Sequence, residues 1–587
     1  MRDTAGRAAL LAIGFLLPEY AAAQQAPPPP PVQGQALPSR GQVENDVPAA
    51  APAPPTAEVD DREAFRGAPC ALAGSPVQVS IRTIRFVTPD GAAAAPALQR
   101  LLARIHPGTP DPQSIAVVCR IRDEANALLS GAGYVALAQI PEQEIRDGEL
   151  KIQIVTARIV EIRLLGDLGP FRRAVQPRLK ALLKLDPLNR KDAERILLQI
   201  SDVPGVHVRL ALSSAGGKAG EVIGSLSVEK QRGQLVANVQ NYGSHQLGPT
   251  IGALRGEVYG LTGFADRTYV VYSNATDWRE TRAVQVGHEF TPVAGAPRIG
   301  LRGVFAYSRP DIEGLDLRSR AQILGVDLTQ PILRRVDRQL DGTVGLELLD
   351  QRSQLFQADK AVPFTRDRIR VGLGRLVGQA TLRTSRGVPI VTLSGNAELR
   401  KGLDILGASA RGKQRDGFSP SRFDGNPLAT VLRGELAADV RLHRLFSLGM
   451  RGFGQWANDP LLNLEEFSIG NAGYGRGYDP GANGGDRAYA FRVEPRVAVP
   501  ARLPVQVELF GFYDHVRLYN LDTGSLEKDR LLRSAGGGVR LVRAGLMVVD
   551  AMYAHPLDRA LTNDKAKPRD RFLLSITAQI LPFGVRR

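Results

Sequence analysis

One arginine is set among glycines near the C-terminal end of this 587-residue chain. It lies in Gly475-Arg476-Gly477-Tyr478, with Asp479-Pro480-Gly481 and Gly485-Asp486 close behind. Glycines let the backbone reach φ > 0 and approach a wall closely. The guanidinium they frame is a planar fork of donors that matches a carboxylate. Downstream, Val505, Val507, Leu509, Gly511 and Tyr513 share one face of an extended segment, and Gln506, Glu508, Phe510, Phe512 and Asp514 share the other. Asp514 thus falls on the polar face, where a carboxylate shielded from water needs a cation. An Arg476–Asp514 bridge that fixes the glycine-rich loop is expected; the alternative is an Asp514 facing solvent at a strand end.

The remaining chemistry-bearing residues form no catalytic set. The seven histidines stand singly, and two cysteines are too few for a zinc site. In an exported chain Cys70 and Cys119 read as one disulfide. Gly216-Gly217-Lys218 lacks the partners of a phosphate loop, no Gly-x-Ser-x-Gly occurs, and His443 with Ser447 is a pair by spacing alone. No enzyme activity, metal or cofactor is expected.

The net charge of +15 comes from 75 basic and 60 acidic residues dispersed without a basic run. Such a spread disfavours nucleic-acid binding, which needs a patch or stripe with stacking aromatics. It suits a polar bore or a surface facing anionic lipopolysaccharide. Past the N-terminus no apolar run approaches the length of a helical membrane span. That leaves barrels open, because their strands alternate.

The elements follow from pattern. Residues 1–24 read as a secretory signal: Arg2 and Arg7, then the apolar Ala8–Leu17, then Ala21-Ala22-Ala23. Residues 25–68 are a proline- and alanine-rich linker with room for a short helix over Val59–Phe65. From 69 to 157 the pattern is strand (Val77–Val87), two helices, then strands over Tyr134–Ile140 and Leu150–Ala157. Residues 158–230 repeat that order, with strands closing over Val206–Leu212 and Val222–Val228. Two-residue alternation then takes over from 231 to 587, as in Ile299–Tyr307, Val391–Arg400 and the segment around Phe572–Ile580. A water-soluble sandwich also alternates, but some 357 residues without a covering helix fit about sixteen tilted strands of a closed barrel.

This order resembles the TpsB transporters of two-partner secretion, of the haemolysin secretion/activation type, in the superfamily of POTRA domains plus barrel. The resemblance spans about residues 70–587. It rests on Leu464–Gly470, Gly475-Arg476-Gly477-Tyr478 and Gly485-Asp486, which are similar to the family's lid loop. Asn241-Tyr242-Gly243 with Gly248, and Ser534 to Gly538, add to it. Phe510-Gly511-Phe512-Tyr513-Asp514 matches the strand motif whose aspartate pairs with the loop arginine, with Val516 standing where the family has glycine.

The resemblance implies a mainly β fold: a transmembrane antiparallel barrel in the bacterial outer membrane behind two periplasmic α+β POTRA domains, 69–157 and 158–230. It implies a monomer in contact with outer-membrane lipid and lipopolysaccharide, which captures a secreted exoprotein on its POTRA domains and passes it through the bore. Tyr134–Ile140 and Val206–Leu212 are the candidate edges for capture by strand addition. The alternative is an outer-membrane assembly or insertion factor of the same superfamily. Many relatives carry an amphipathic N-terminal helix that plugs the pore. The composition of 25–58 does not read as one, so this tract is expected to be a tether.

Overall fold

A computed structural model describes residues 37–44, 58–65, 69–72, 74–109, 111–358, 360–385, 387–470, 473–500 and 504–583. Residues 1–24, expected to be a secretory signal, and most of the proline-rich tract lie outside these residues.

In chain order the N-terminal elements are α1 (Arg40–Glu44), β1 (Glu58–Glu63), β2 (Gln78–Val79), β3 (Thr83–Val87), α2 (Pro96–Leu102), β4 (Gln113–Ser114), α3 (Ala116–Ala132), β5 (Ala136–Gln139) and β6 (Glu149–Thr156). The second unit holds β7 (Arg158–Leu165), α4 (Arg172–Leu182), α5 (Arg190–Ser201), β8 (Val206–Ser214) and β9 (Glu221–Lys230). The long region that follows begins with β10 (Gly233–Gln240), β11 (Ile251–Tyr259), β12 (Arg267–Ala275), β13 (Thr281–Phe290), β14 (Arg298–Ser308) and β15 (Asp316–Arg334). It continues with β16 (Arg338–Gln357), β17 (Lys360–Arg383), β18 (Pro389–Gly402), β19 (Thr430–Arg441) and β20 (Phe446–Ala457). After the short β21 (Phe467–Ser468) and β22 (Gly484–Gly485) come β23 (Arg487–Val499), β24 (Gln506–Tyr519), β25 (Asp529–Arg543), β26 (Met547–Pro556) and β27 (Arg571–Phe583).

The first unit is the sheet β3-β6-β5, covered by α2 and α3. Leu98, Leu102, Ile121, Ala125 and Leu129, at helical spacing, pack on Leu150, Ile152 and Ile154. Its opening strand is broken, in contrast to the single Val77–Val87 strand the alternation suggests. The buried Ile81 turns into the core, and the Arg82 and Thr83 N–H groups both donate to Gly148 O, so pairing with β6 starts only at Thr83. Cys70 and Cys119 form a disulfide that ties the entry of this unit to α3 across a separation of 49 residues. A loop of that length, left unclosed, costs up to about 4 kcal/mol in chain entropy. Reduction of the purified full chain is expected to speed proteolytic cleavage within this unit markedly while barrel mobility on unboiled gels stays unchanged.

The second unit departs from expectation at its edge. Its sheet runs β1-β8-β9-β7: residues 58–63 are not helical but form a strand pairing parallel with β8, Val59 opposite Leu210 and Asp60 opposite Ala211. Asp61 forms an ion pair with Arg190 of α5, and Ala64, buried, joins the unit's core with Val59 and Phe65 packed against it. The Val206–Leu212 edge is therefore occupied by the chain itself. The other candidate edge is also engaged, because the Asn126 amide accepts from Ala138 N at 2.7 Å and donates to Ala138 O at 3.3 Å.

Strands β10–β20 and β23–β27 form a closed sixteen-strand antiparallel barrel in sequential order. β10 closes on β27, and the Asn241 side chain extends that ladder by donating to Phe572 O (2.8 Å) and accepting from Leu574 N (2.7 Å). Parity sorts the wall. Leu301, Val344, Leu436 and Phe572 point outward and are 48%, 60%, 61% and 66% exposed, while Glu257, Glu347, Arg400 and Asp514 point inward and are buried. An apolar exterior this continuous is compatible only with lipid.

The N-terminal tract supplies a second correction. α1 is helical and lies in the bore: Val43 packs among inward-facing Val304, Ile323 and Leu349, and Leu37 packs on Leu317. Residues 37–44 thus fill the bore as a plug helix would, contrary to the expectation that this tract carries none.

Candidate functional site: two latched segments inside the bore

The first latched segment is the loop between β20 and β23. Its base is the short β21–β22 ladder, Phe467 opposite Gly485, steadied by Phe453 stacked on Phe467 at 4.8 Å. At its tip Gly475 has φ +73°, and at Gly477 a Cβ would come 2.8 Å from Ser534 Cβ and 2.9 Å from Pro556 N. Only glycine lets the tip lie this close to β25 and β26. Tyr478, fully buried, donates its hydroxyl to Arg533 O (2.8 Å) and accepts from Asp558 N (3.1 Å).

Arg476 then meets the wall. Its Nε and Nη2 donate to Asp514 Oδ2 and Oδ1 at 3.0 and 2.9 Å, a two-pronged fork, and its own backbone N–H donates to the same carboxylate at 3.1 Å. Nη1 donates to Glu494 Oε2 at 3.0 Å, and the guanidinium carbon lies 3.5 Å from the centre of the Phe512 ring. Phe510 belongs to the adjoining apolar patch with Phe512 and Met552. Arg476, Asp514 and Glu494 are each at most 2% exposed, so the fork is charge-assisted and screened from water. Val516, in place of the family's glycine, leaves the ladder unbroken (Ala490 opposite Val516, Val516 opposite Leu532) and packs in the loop's apolar cluster with Tyr478.

Gly485 and Asp486 serve the other end of the loop. Asp486 accepts from Leu461 N and Leu521 N, both at 2.7 Å, and from Arg422 at 2.6 Å. Arg422 also holds Glu466 (2.6 Å) and Asp522, so one guanidinium serves three carboxylates. Burial first, then Asp486, Asp522 and Asp367, outweigh Arg422 and push the Glu466 carboxyl up to about 7. The folded state keeps a proton here that the unfolded chain releases at an ordinary carboxyl value. This contribution is complete below about pH 4.5 and is lost as pH rises through 7, on the order of 3 kcal/mol. Thermal melting of the purified chain is expected to show this decline between pH 5.5 and 8, and Glu466→Gln to flatten it.

The second latched segment is α1. Arg40 pairs with Glu347 (3.0 Å) and Glu465 (3.5 Å), and Glu44 with Arg302 (3.2 Å). Arg400, 1% exposed, bridges Glu347 (2.7 Å), Glu465 (2.8 Å) and Glu398 (3.0 Å), and Arg433 reaches Glu465 at 3.1 Å. Since Glu465 lies just before the loop, one ion network clamps the plug and the root of the loop together. They also touch directly: Gln42 Nε2 donates to Pro480 O at 3.2 Å. From the first barrel turn, His245 N donates to Asp479 at 3.0 Å.

Sequence reasoning singled out Gly475, Arg476, Gly477, Tyr478, Gly485, Asp486, Phe510, Phe512 and Asp514. The structure gathers them at the loop and its facing strand. It adds Glu494, Arg422 and the α1 network. Glu494 was legible in principle, since β23 puts Ala488, Ala490 and Glu494 on one parity. The α1 contacts carry no local signal.

Comparison with known proteins agrees with this architecture. Residues 316–541 match the family described as "Haemolysin secretion/activation protein ShlB/FhaC/HecB". The "Heme/hemopexin transporter protein HuxB" of Haemophilus influenzae is 24% identical over 443 residues, covering 73% of this chain and 75% of that protein. The fold is similar to CdiB from Escherichia coli (TM-score 0.68, 16% identity, 88% of this chain and 94% of that one). It is also similar to CdiB from Acinetobacter baumannii (TM-score 0.58, 14% identity, 89% and 94%). Over residues 316–541 the chain is thus similar to the haemolysin secretion/activation family of ShlB, FhaC and HecB, and its closed sixteen-strand barrel is the architecture that similarity implies.

Proposed function

We propose that this protein is an outer-membrane transporter that secretes one partner protein through its barrel, with residues 69–157 and 158–230 acting as periplasmic POTRA domains, and that it transports and does not catalyse. The observation that carries this reading is a closed bore filled by two segments, α1 and the Arg476 loop, each fastened by ion pairs that exchange without covalent change. The exported chain arrives extended. The β8 edge suits it by strand addition, and β1 must vacate that edge first. Asp514 and Glu494 are the docking points of the loop. Arg476 is its latch, and Glu347, Glu398 and Glu465 with Arg400 hold the plug.

Deleting the gene is expected to abolish surface appearance of a single exoprotein, with other outer-membrane proteins at normal abundance. A general loss of outer-membrane proteins would instead indicate the assembly-factor alternative.

A further inference from the structure

We propose that the outer wall of β13–β17 carries a binding site for the phosphorylated headgroup of an outer-leaflet glycolipid, the lipid A portion of lipopolysaccharide. This site rests on the outer-membrane reading above. Its elements are in direct register: Arg282 opposite Tyr307, Tyr307 opposite Arg320, Arg320 opposite Arg352, and Arg352 opposite Arg366. The adjacent positions Ser319, Ala321, Gln351, Ser353, Thr365 and Asp367 are buried toward the bore, so by parity this row of arginines faces outward. Arg318 and Arg368 flank it on the same face.

Like charges directly opposite one another on a sheet are destabilising, and this row is poorly compensated. Among the described residues Arg320 has no ion pair. Arg352 has a ring contact with Phe418, its guanidinium carbon 4.5 Å from the ring centre. Arg366 and Arg368 share the single carboxylate of Asp350 at 3.5 and 3.3 Å, and neither Nε makes a hydrogen bond. Asp316 is taken by Arg309 and Arg318.

Height along the wall selects the occupant. Two residues nearer the periplasmic mouth the same outward face carries Phe305, and four nearer it carries Leu324 and Leu348, so the apolar belt starts within about 14 Å of the arginine row. The row therefore stands where acyl chains give way to headgroups. Between its side chains is a recess of about 270 Å³ lined by four arginines, Arg318, Arg320, Arg352 and Arg366, against one carboxylate, Asp350, with Tyr307, Phe356, Gln322 and Gln354 completing it. Guanidinium forks bind phosphate oxygens in pairs, and the aromatic rims at Tyr307 and Phe356 suit an interfacial sugar. A phosphorylated glycolipid supplies the anionic groups, the sugar and the chains that the belt below would bury.

The test uses the full-length detergent-purified chain and lipid A carrying both phosphates, with binding read by native mass spectrometry and by the shift in melting temperature. Wild type is expected to bind it at least about tenfold more tightly than dephosphorylated lipid A. The triple variant Arg320→Gln/Arg352→Gln/Arg366→Gln should lose about tenfold or more, and the corresponding triple lysine variant should keep part of the affinity. Heat-modifiable gel mobility reports that each variant is folded. Equal binding of the dephosphorylated lipid, an unchanged glutamine variant, or full competition by millimolar inorganic phosphate would overturn the inference. Secretion by the wild type is scored separately. A chain that secretes normally yet ignores the phosphates loses this site alone, whereas one that binds lipid A but exports nothing loses only the transport reading.

Discussion

Replacing Arg476 by alanine is expected to reduce export of the partner by at least about tenfold while the barrel stays folded. The substitution removes the fork to Asp514 and the bond to Glu494 together, leaving two carboxylates that are 0% and 2% exposed without their shared cation. Breaking a buried pair in this way costs up to about 3–5 kcal/mol; Arg496 at 2.9 Å from Glu494 and Arg492 at 3.6 Å from Asp514 offset part of it. The tip keeps the Tyr478 hydrogen bonds and the Gln42 and His245 contacts but loses its strongest tie to β24. The loop should leave the wall, and protease should cut between Ile469 and Gly484 in intact cells.

Graded variants separate a latch from general damage. Arg476→Lys keeps the charge without the fork and should fall between wild type and alanine. Asp514→Asn keeps the shape and should resemble it. In a double-mutant cycle Arg476→Ala with Asp514→Ala should cost clearly less than the sum of the two. Additive effects, or wild-type export by the alanine variant, would refute the latch.

The second large effect concerns the plug. Deleting residues 37–44 is expected to convert a closed bore into a channel of large, steady conductance in planar bilayers, several times that of wild type. The deletion removes Arg40 and Glu44 together, so the wall keeps Arg302, Arg400 and Arg433 opposite Glu347, Glu398 and Glu465. No unpaired wall charge is created, and the barrel should fold. Arg40→Ala alone removes one cation from a balanced set and leaves Glu347 and Glu465 short of a partner. It should therefore destabilise the closed state while deleting almost no volume. Conductance unchanged by the deletion would mean that α1 does not obstruct the path.

These elements differ in how far the sequence discloses them. The barrel is legible because lipid outside and water inside impose a strict period of two, which Ile299–Tyr307 and Val505–Tyr513 display. The same parity puts Asp514 on the bore. α1 is illegible for a physical reason. Five residues cannot sustain a helix by local propensity, and their stability comes from Glu347 and Glu465, hundreds of residues away. β1 is hidden likewise: Glu58-Val59-Asp60-Asp61-Arg62-Glu63 has little strand propensity, and it is extended because β8 offers an open ladder and Arg190 awaits Asp61. The break in Val77–Val87 is a tertiary choice too, made where Ile81 finds the core.

The junction between the first and last strands has its own implication for how cargo leaves. β10 is paired along its whole length, Gly233 to Gln240, with β11 on one flank and β27 on the other, and Asn241 fastens the outer end as though it were one more rung. Unzipping that seam sideways would strip backbone groups of their partners in hydrocarbon, several kcal/mol for each one left bare. Moving α1 and the Arg476 loop instead exchanges ion pairs for hydrated charges in a water-filled conduit. The cheaper exit is axial, toward the cell exterior, and a polypeptide taking it never meets the lipid.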